Sequence, residues 1–292
     1  MNYIKVDDLN LKELNIYHSV NEAGLLHYYE PDEGIFIAET AMVVLRALDA
    51  GYEPLSLLIE DKFIIENDEN IENQKDTYSI FDDADPVREV LSRVKDIPVY
   101  VASQMTLKGI TGYEVTRGFL CAMRRKKLPA IEDTLKGARR ITVLDGVVNP
   151  TNVGAIVRSA AALNIDAILF TKDCADPLYR RAIRVSMGNI FNIPWTIISN
   201  DRPKNMDKLK SLGFMTVSMA LCENSIGIDD TRLLNADKLA IIMGTEGEGL
   251  SNEVIKASDH TAKIPMSNGV DSLNVAAASA VIFWELSKRD RP

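Results

Sequence analysis

Three stretches of this 292-residue chain place glycine, amide or charged residues where an apolar strand gives way to a helix. That edge is where open α/β sheets bind their ligands. In the first, LDGVVNPTNVGAIVRSAAAL (144–163), a strand ends at Asp145-Gly146 and Asn149-Pro150-Thr151-Asn152 turns into a helix. Asn152 there is either a cap or a ligand-facing amide. Arg158 follows two turns later among Ile156, Val157, Ala160 and Ala161. An arginine emerging from an apolar helix suits an anion, and phosphate fits its fork; the plain alternative is a surface arginine. The second stretch, IIMGTEGEGLS (241–251), is strand, glycine-rich turn and a helix opened by Ser251. It is neither a P-loop nor a G-x-G-x-x-G dinucleotide turn. Glu246 and Glu248 oppose a phosphate and favour a cationic or sugar-bearing ligand, unless the loop is only a tight βα turn. The third, IPMSNGVDSLNVAAASAVIFWE (264–285), has a proline, a flexible Ser267-Asn268-Gly269 turn and a helix capped by Asp271 or Ser272, with Leu273-Asn274-Val275 in its first turn. Ala276–Ala278 and Ala280 leave that helix so slim that other backbone can approach closely. Ser272 and Asn274 lie at its positive end. Read alone, it is equally a well-capped buried helix.

The elements that position these stretches form an α/β rhythm. Strands are expected at 34–38, 55–59, 98–102 and 118–122, with a helix over Ala41–Ala50 stopped by Gly51 and an opening helix from Leu9 to Val20. Residues 60–96 read as acidic surface helices and loops. The run RRKKLPAIEDTLKGARR (124–140) breaks the rhythm and reads as a linker, its Arg124–Lys127 either solvated or in contact with phosphate. Strands then recur near 141–145, 166–170, 195–198, 214–218 and 239–243. Helices fall near 152–163, 206–212, 251–257 and 272–287. Such alternation implies a parallel sheet covered on both faces.

Composition sets bounds on this picture. The length suits two domains, here residues 1–123 and 140–292 joined by a basic linker at 124–139. Net charge is −9, but residues 1–112 hold 22 acidic and 9 basic side chains while residues 113–292 hold 20 and 24. A nucleic-acid partner is therefore compatible with the second half of the chain. Cys121, Cys174 and Cys222 form no C-x-x-C pair and read as reduced thiols of a cytoplasmic protein. His18, His27 and His260 lack ligand spacing, so no metal is expected. No apolar run is long enough for a membrane span, and MNYIKVDDLNLKEL has no signal core.

Taken in order, N-P-x-N-x-G-x-x-x-R, M-G-x-E-G-x-G-L-S and I-P-M…S-L-N-V resemble the SpoU (TrmH-like) family of RNA ribose 2′-O-methyltransferases, over about 150 residues at 141–288. Residues 34–125 resemble, through FIAE, SLLIE and VYVAS, the small ribosomal-protein-like α/β domain that often precedes this catalytic domain and helps recognise RNA. The resemblance implies a C-terminal trefoil-knotted parallel-sheet domain, S-adenosylmethionine bound bent in the knot loops, and a homodimer with active sites beside the interface. It implies cofactor contacts at Gly244, Ile264, Met266, Leu273 and Ala220. Catalytic and structural polar roles fall on Asn152, Arg158, Glu246, Ser272 and Asn274. Tyr179–Gly188 resembles the family's R-x-S-x-G segment, so Arg180, Arg181 and Arg184 join Arg124 and Arg125 as candidate RNA contacts; a charged helix face is the alternative for Arg180 and Arg181. Ala276 stands where many members have serine, and Thr245 where asparagine or alanine is common.

Two roles for Arg158 remain open: general base, or a cation that clamps phosphate and stabilises the developing alkoxide. A free guanidinium stays protonated far above neutral pH, which favours the second. Two other functions compete. One is a catalytically inactive RNA-binding or ribosome-assembly protein that keeps the knot. The other, a doubly wound nucleotide enzyme, lacks the required phosphate-binding glycines. Whether ribosomal or transfer RNA is modified is not written in these residues.

Overall fold

A computed structural model describes residues 2–7, 11–65, 84–111, 118–245, 247, 249–269 and 272–288. It divides the chain into two compact units, 1–127 and 128–292.

The first unit runs β1 (Asn2–Val6), a 3-10 turn at Lys12–Leu14, α1 (Asn15–His18), α2 (Glu22–Leu26), β2 (Ile35–Glu39), α3 (Ala41–Asp49), β3 (Pro54–Glu60), α4 (Lys62–Ile65), α5 (Ala84–Arg93), β4 (Pro98–Ala102), α6 (Gln104–Thr111) and β5 (Phe119–Arg124). Its sheet has the order β1-β4-β3-β5-β2. β1, β4 and β3 are parallel, and β5 runs antiparallel to both β3 and β2. β2 and β5 read as unbroken apolar runs because both of their faces are covered. The helix α3 ends, as expected, with Gly51 in the left-handed region at φ 75°.

Two expectations for this unit need correcting. Leu9–Val20 is not one helix: a 3-10 turn and α1 occupy Lys12–His18, and Leu9 and Asn10 lie outside the described residues. Nor was β1 foreseen. It is an edge strand in which Val6 alone is buried, so its apolar pattern is faint. Of the stretch 60–96, α4 and α5 flank residues that are not described.

The second unit runs α7 (Ile131–Thr134), β6 (Arg140–Leu144), α8 (Pro150–Ala162), β7 (Ala167–Thr171), α9 (Arg180–Val185), β8 (Trp195–Ile198), α10 (Arg202–Ser211), β9 (Met215–Met219), β10 (Ile226–Gly227), α11 (Thr231–Leu234), β11 (Leu239–Met243), α12 (Asn252–Ala257), β12 (His260–Lys263) and α13 (Val275–Leu286). The sheet order is β10-β12-β9-β11-β6-β7-β8, and every pairing is parallel. The five strands expected here are present within a residue or two. β10 and β12 were missed, because HTAK buries only Ala262 and a two-residue strand has no period. Ile141, Val143, Leu169, Ala240 and Ile242 form one core with Met206 and Leu209 of α10 and Val254 of α12. α8 packs against both α9 and α13.

The segment expected as a linker is more ordered than its composition implies. Arg124 still belongs to β5, the backbone N–H of Arg125 donates to Gly34 O at 2.9 Å, and α7 occupies 131–134.

Candidate active site

A cavity of about 520 Å³ opens at the carboxyl ends of β9, β11 and β12, three neighbouring strands. Three loops wall it: Met219 to Cys222 after β9, Gly244, Thr245, Gly247, Gly249 and Leu250 after β11, and Lys263, Ile264 and Met266 after β12. Ser272, Leu273, Val275, Ala278 and Ile282 close the remaining side. The size suits a ligand of nucleoside dimensions, and aliphatic side chains share the lining with backbone and polar groups such as Thr245, Asn252, Lys263 and Ser272. Gly244, Ala220, Ile264, Met266 and Leu273, the five residues marked for a cofactor, all lie on this wall. Leu221, Cys222, Asn252 and Ile255 line it too and had not been singled out; adjacency to Ala220 was the only signal for the first two.

The loop after β11 depends on glycine for a steric reason. A Cβ on Gly244 would lie 2.6 Å from the carbonyl carbon and oxygen of Gly249, because Thr245 and Gly249 pair across the turn. Backbone, unlike a side-chain tip, cannot swing away. Gly249 itself has φ 69°, open to glycine without strain.

At the mouth of the cavity two helices begin. Asn149, not Asn152, caps α8: its side chain accepts from Thr151 N at 2.9 Å, and Pro150 occupies the first turn. This leaves Asn152 buried, its Oδ1 accepting from Asn274 Nδ2 at 3.5 Å. Asn274 is also the cap of α13, its Oδ1 accepting from Ala276 N at 2.9 Å and Ala277 N at 3.4 Å. The expected cap, Asp271 or Ser272, is therefore corrected. Ser272 lines the cavity instead, and Asp271 lies outside the described residues. One side chain thus fixes the start of α13 and touches the start of α8, so two positive helix ends meet beside the cavity. Glu246 also lies outside the described residues.

The loop from β6 to α8 is held by charge. Arg202 Nε donates to Asp145 Oδ1 and Oδ2 at 2.8 and 3.1 Å, and its Nη2 donates to Asp173 at 2.6 Å. Burial pushes the Asp173 carboxyl up, but the Thr171 hydroxyl and Arg202 outweigh it and hold the group below its usual range. Thr171 Oγ1 also accepts from Gly146 N at 2.9 Å, which ties the turn to β7. Cys174 sits nearby, its thiol pushed up by burial and donating to Leu144 O, an inert arrangement.

Beyond this mouth lie the arginines of α9. Arg181 Nε donates to Thr151 Oγ1 at 2.7 Å, next to Asn152. α8 and α9 approach so closely that a Cβ on Gly154 would stand 2.5 Å from Ala182 O. Arg180 and Arg184 are half-buried, Arg181 exposed. Arg158, by contrast, is exposed on α8 and makes no hydrogen bond or ion pair among the described residues. It lies six residues beyond Asn152, roughly 9 Å along the axis and about 240° around it. The fold therefore brings Asn152, Asn274 and Ser272 together and leaves Arg158 on another face. In the first unit, Arg124 is accessible. Arg125 is buried with Nε donating to Ile35 O at 3.1 Å, so it is withdrawn as an RNA contact.

With this geometry the chain is similar to a group of known proteins. The profile of the SpoU rRNA Methylase family matches residues 139–284. An uncharacterized tRNA/rRNA methyltransferase of Mycobacterium bovis is 35% identical over 257 residues, spanning 88% of this chain and 82% of the relative. The 23S rRNA (guanosine(2553)-2′-O)-methyltransferase RlmP of Bacillus subtilis is 28% identical over 65% of this chain and 73% of its own. Among solved structures, an AdoMet-bound rRNA methyltransferase from Sinorhizobium meliloti has a TM-score of 0.78 at 19% identity, covering 99% of both chains.

Proposed function

The chain belongs to the SpoU rRNA methylase family, and from that premise we propose that it transfers a methyl group from S-adenosylmethionine to a ribose 2′-hydroxyl of structured ribosomal or transfer RNA. The observation that carries this reading is the cavity at β9, β11 and β12, with the starts of α8 and α13 meeting at its mouth. A wall of aliphatic side chains edged by backbone and polar groups from three loops suits a nucleoside whose amino-acid tail carries charge. Ala220, Gly244, Ile264, Met266 and Leu273 are the residues that hold it. In the knotted fold that the family resemblance implies, the threaded segment is the one that carries Ile264, Met266 and the slim helix α13.

The bound cofactor supplies an activated methyl on a sulfonium. The protein's task is to bring the ribose hydroxyl into line, exclude water and manage its proton. Ser272 and Asn274, fixed by the cap of α13, orient the ribose at the mouth, with Asn152 bracing Asn274 from α8. Glu246 keeps the catalytic or structural polar role that the family resemblance implies for it. The two helix ends favour negative charge developing on the attacking oxygen. Arg180, Arg181 and Arg184 bind flanking phosphates. Arg158 supplies the cation that clamps phosphate and stabilises the alkoxide. Because it faces away from its own mouth, it acts on the site of a second copy.

We place that second copy against α8 and α13. Val281 and Trp284 of α13 are 40% and 53% exposed, and with Ala277 they follow a helical spacing. A cytoplasmic setting is supported by three free cysteines and by the RNA substrate; no described helix is long and apolar enough to cross a membrane. The inactive RNA-binding reading has no observation in its favour: the cavity is open and Asn152, Ser272 and Asn274 are all present beside it.

Arg158→Ala is the direct test. Methyl incorporation into RNA should fall at least a hundredfold, while calorimetric affinity for S-adenosylmethionine stays within twofold of wild type. Full activity in this variant removes Arg158 from the mechanism.

A further inference from the structure

The first unit is strongly acidic, with 22 acidic and 9 basic side chains over residues 1–112, yet one corner of it combines cations with exposed aromatic rings. Tyr28 and Tyr29 are 46% and 38% exposed and pack edge to face, ring centroids 5.0 Å apart at 85°. The Arg124 guanidinium lies 4.9 Å above the Tyr29 ring. Two residues on, Lys126 lies 4.8 Å over Tyr52 and donates from Nζ to Ala50 O. Alternation along the extended chain explains the grouping: Arg124 and Lys126 project to one side, while Arg125 between them is buried. Lys127 follows, exposed. Glu53 pairs with Arg124 Nε at 3.0 Å and is the one acidic side chain the described contacts bring to these cations.

Exposed tyrosines cost solubility, and of the two ring-held cations Lys126 has no carboxylate among its described contacts while Arg124 shares its charge with Glu53. That pairing is what a nucleic-acid strand reads: bases stack on rings while phosphates meet the cations. A protein partner would meet two flexible cations and little aliphatic surface. We propose that Tyr28, Tyr29, Arg124 and Lys126 form a stacking site for an unpaired nucleotide of the RNA substrate, distinct from the methyl-transfer cavity. This rests on the reading of the chain as an RNA methyltransferase. It assigns the first unit a task, gripping a single-stranded or looped segment by base stacking.

The test uses the full chain, a fluorescent unstructured 12-nucleotide RNA of mixed sequence, and the same sequence as a duplex. Stacking contributes about 1–3 kcal/mol per base, so Tyr28→Ala/Tyr29→Ala should weaken single-strand binding roughly five- to 150-fold. Binding to the duplex should change less than twofold. Tyr28→Phe/Tyr29→Phe should bind as wild type, since the ring faces remain. Glu53→Gln should tighten binding about two- to fivefold by freeing Arg124, an effect that a purely structural cluster would not give. S-adenosylmethionine affinity should be unchanged in all three, which reports an intact second unit, and an unchanged circular dichroism spectrum and Tm report that the first unit folds. Ultraviolet crosslinking of the 12-mer should map to peptides holding residues 28–29. Equal single-strand affinity in the double-alanine variant, crosslinks elsewhere, or a wild type that methylates RNA but ignores the 12-mer would each overturn the proposal. Failure of the wild type to methylate any cellular RNA is a different result, and would overturn the catalytic reading instead.

Discussion

At the scale of single residues, Asn274 has two duties that separate experimentally. Its Oδ1 accepts from two backbone N–H groups at the start of α13, and its Nδ2 donates to Asn152. Alanine removes both, and loss of a cap costs about 1 kcal/mol, so the unfolding free energy of Asn274→Ala from urea titration should be lower by about that amount, with activity lost. Aspartate keeps the cap, because a carboxylate accepts from the same amides, but cannot donate to Asn152. Asn274→Asp should therefore fold like wild type and still methylate RNA at least tenfold more slowly at saturating substrate. If aspartate restores both stability and rate, Asn274 is a cap and nothing more. Such a division was not legible in the sequence. S-L-N-V marks the residue, but whether Ser272 or Asn274 caps depends on where the preceding loop releases the chain. Thr245 and Ala276, the two departures from the family pattern, are easier to judge now. Thr245 bridges Gly249 across the turn, and Ala276 needs only its backbone N–H for the cap.

At the scale of elements, the late segment of the chain is fastened at several points. Arg140 is fully buried, yet its guanidinium donates to the carbonyls of Ala236 at 2.8 Å, Asp237 at 3.1 Å and Leu286 at 3.1 Å. The last of these is at the negative end of α13, where a cation is favoured. β12 is fastened by Asp259, whose Oδ2 accepts from Thr216 N and Oγ1 at 2.8 Å each, while Lys210 pairs with Oδ1. Burial raises this carboxyl, but the Thr216 amide and hydroxyl and Lys210 prevail and lower it. A depressed carboxylate adds stability above its unfolded value, near 3.9, and that stability is lost as pH falls through the folded value. Urea midpoints of the wild type should thus drop more steeply than those of Asp259→Asn between pH 5 and pH 3; parallel profiles would mean the carboxylate is not the fastener. These fasteners also explain what the sequence concealed. Strands β7 and β11 were readable because both faces are buried and the apolar run is continuous, and β6, interrupted by Thr142, by its β-branched residues. β12 and β1 were not, since each is defined by pairing to a distant strand rather than by its own pattern. The cavity wall was legible where motif residues lined it. Asn252 and Ile255 reach it through tertiary folding alone.

At the scale of the whole molecule, the position of Arg158 is the decisive fact. Asn152 and Arg158 share α8, yet the helix turns them to different faces, one buried against Asn274 and the other exposed. The proposed mechanism, which needs both, therefore takes the arginine from a second chain. Exposed Val281 and Trp284 on α13 are the surface proposed for that copy, beside α8 with which α13 packs. Placing a carboxylate there, as in Trp284→Glu, should convert a dimer to a monomer in sedimentation and abolish methylation while leaving S-adenosylmethionine binding measurable. A sharper discrimination comes from mixing inactive chains. Arg158→Ala and Asn152→Ala chains, co-expressed and paired at random, give hybrids in about half of the dimers. If Arg158 serves its own site, each hybrid site lacks one residue and the mixture stays inactive. If Arg158 serves the partner, one site of each hybrid has both residues, and the mixture should recover roughly a quarter of wild-type activity. A mixture no more active than either parent places Arg158 on its own active site, and the 240° turn of α8 would then have to be closed by movement of the helix on binding RNA.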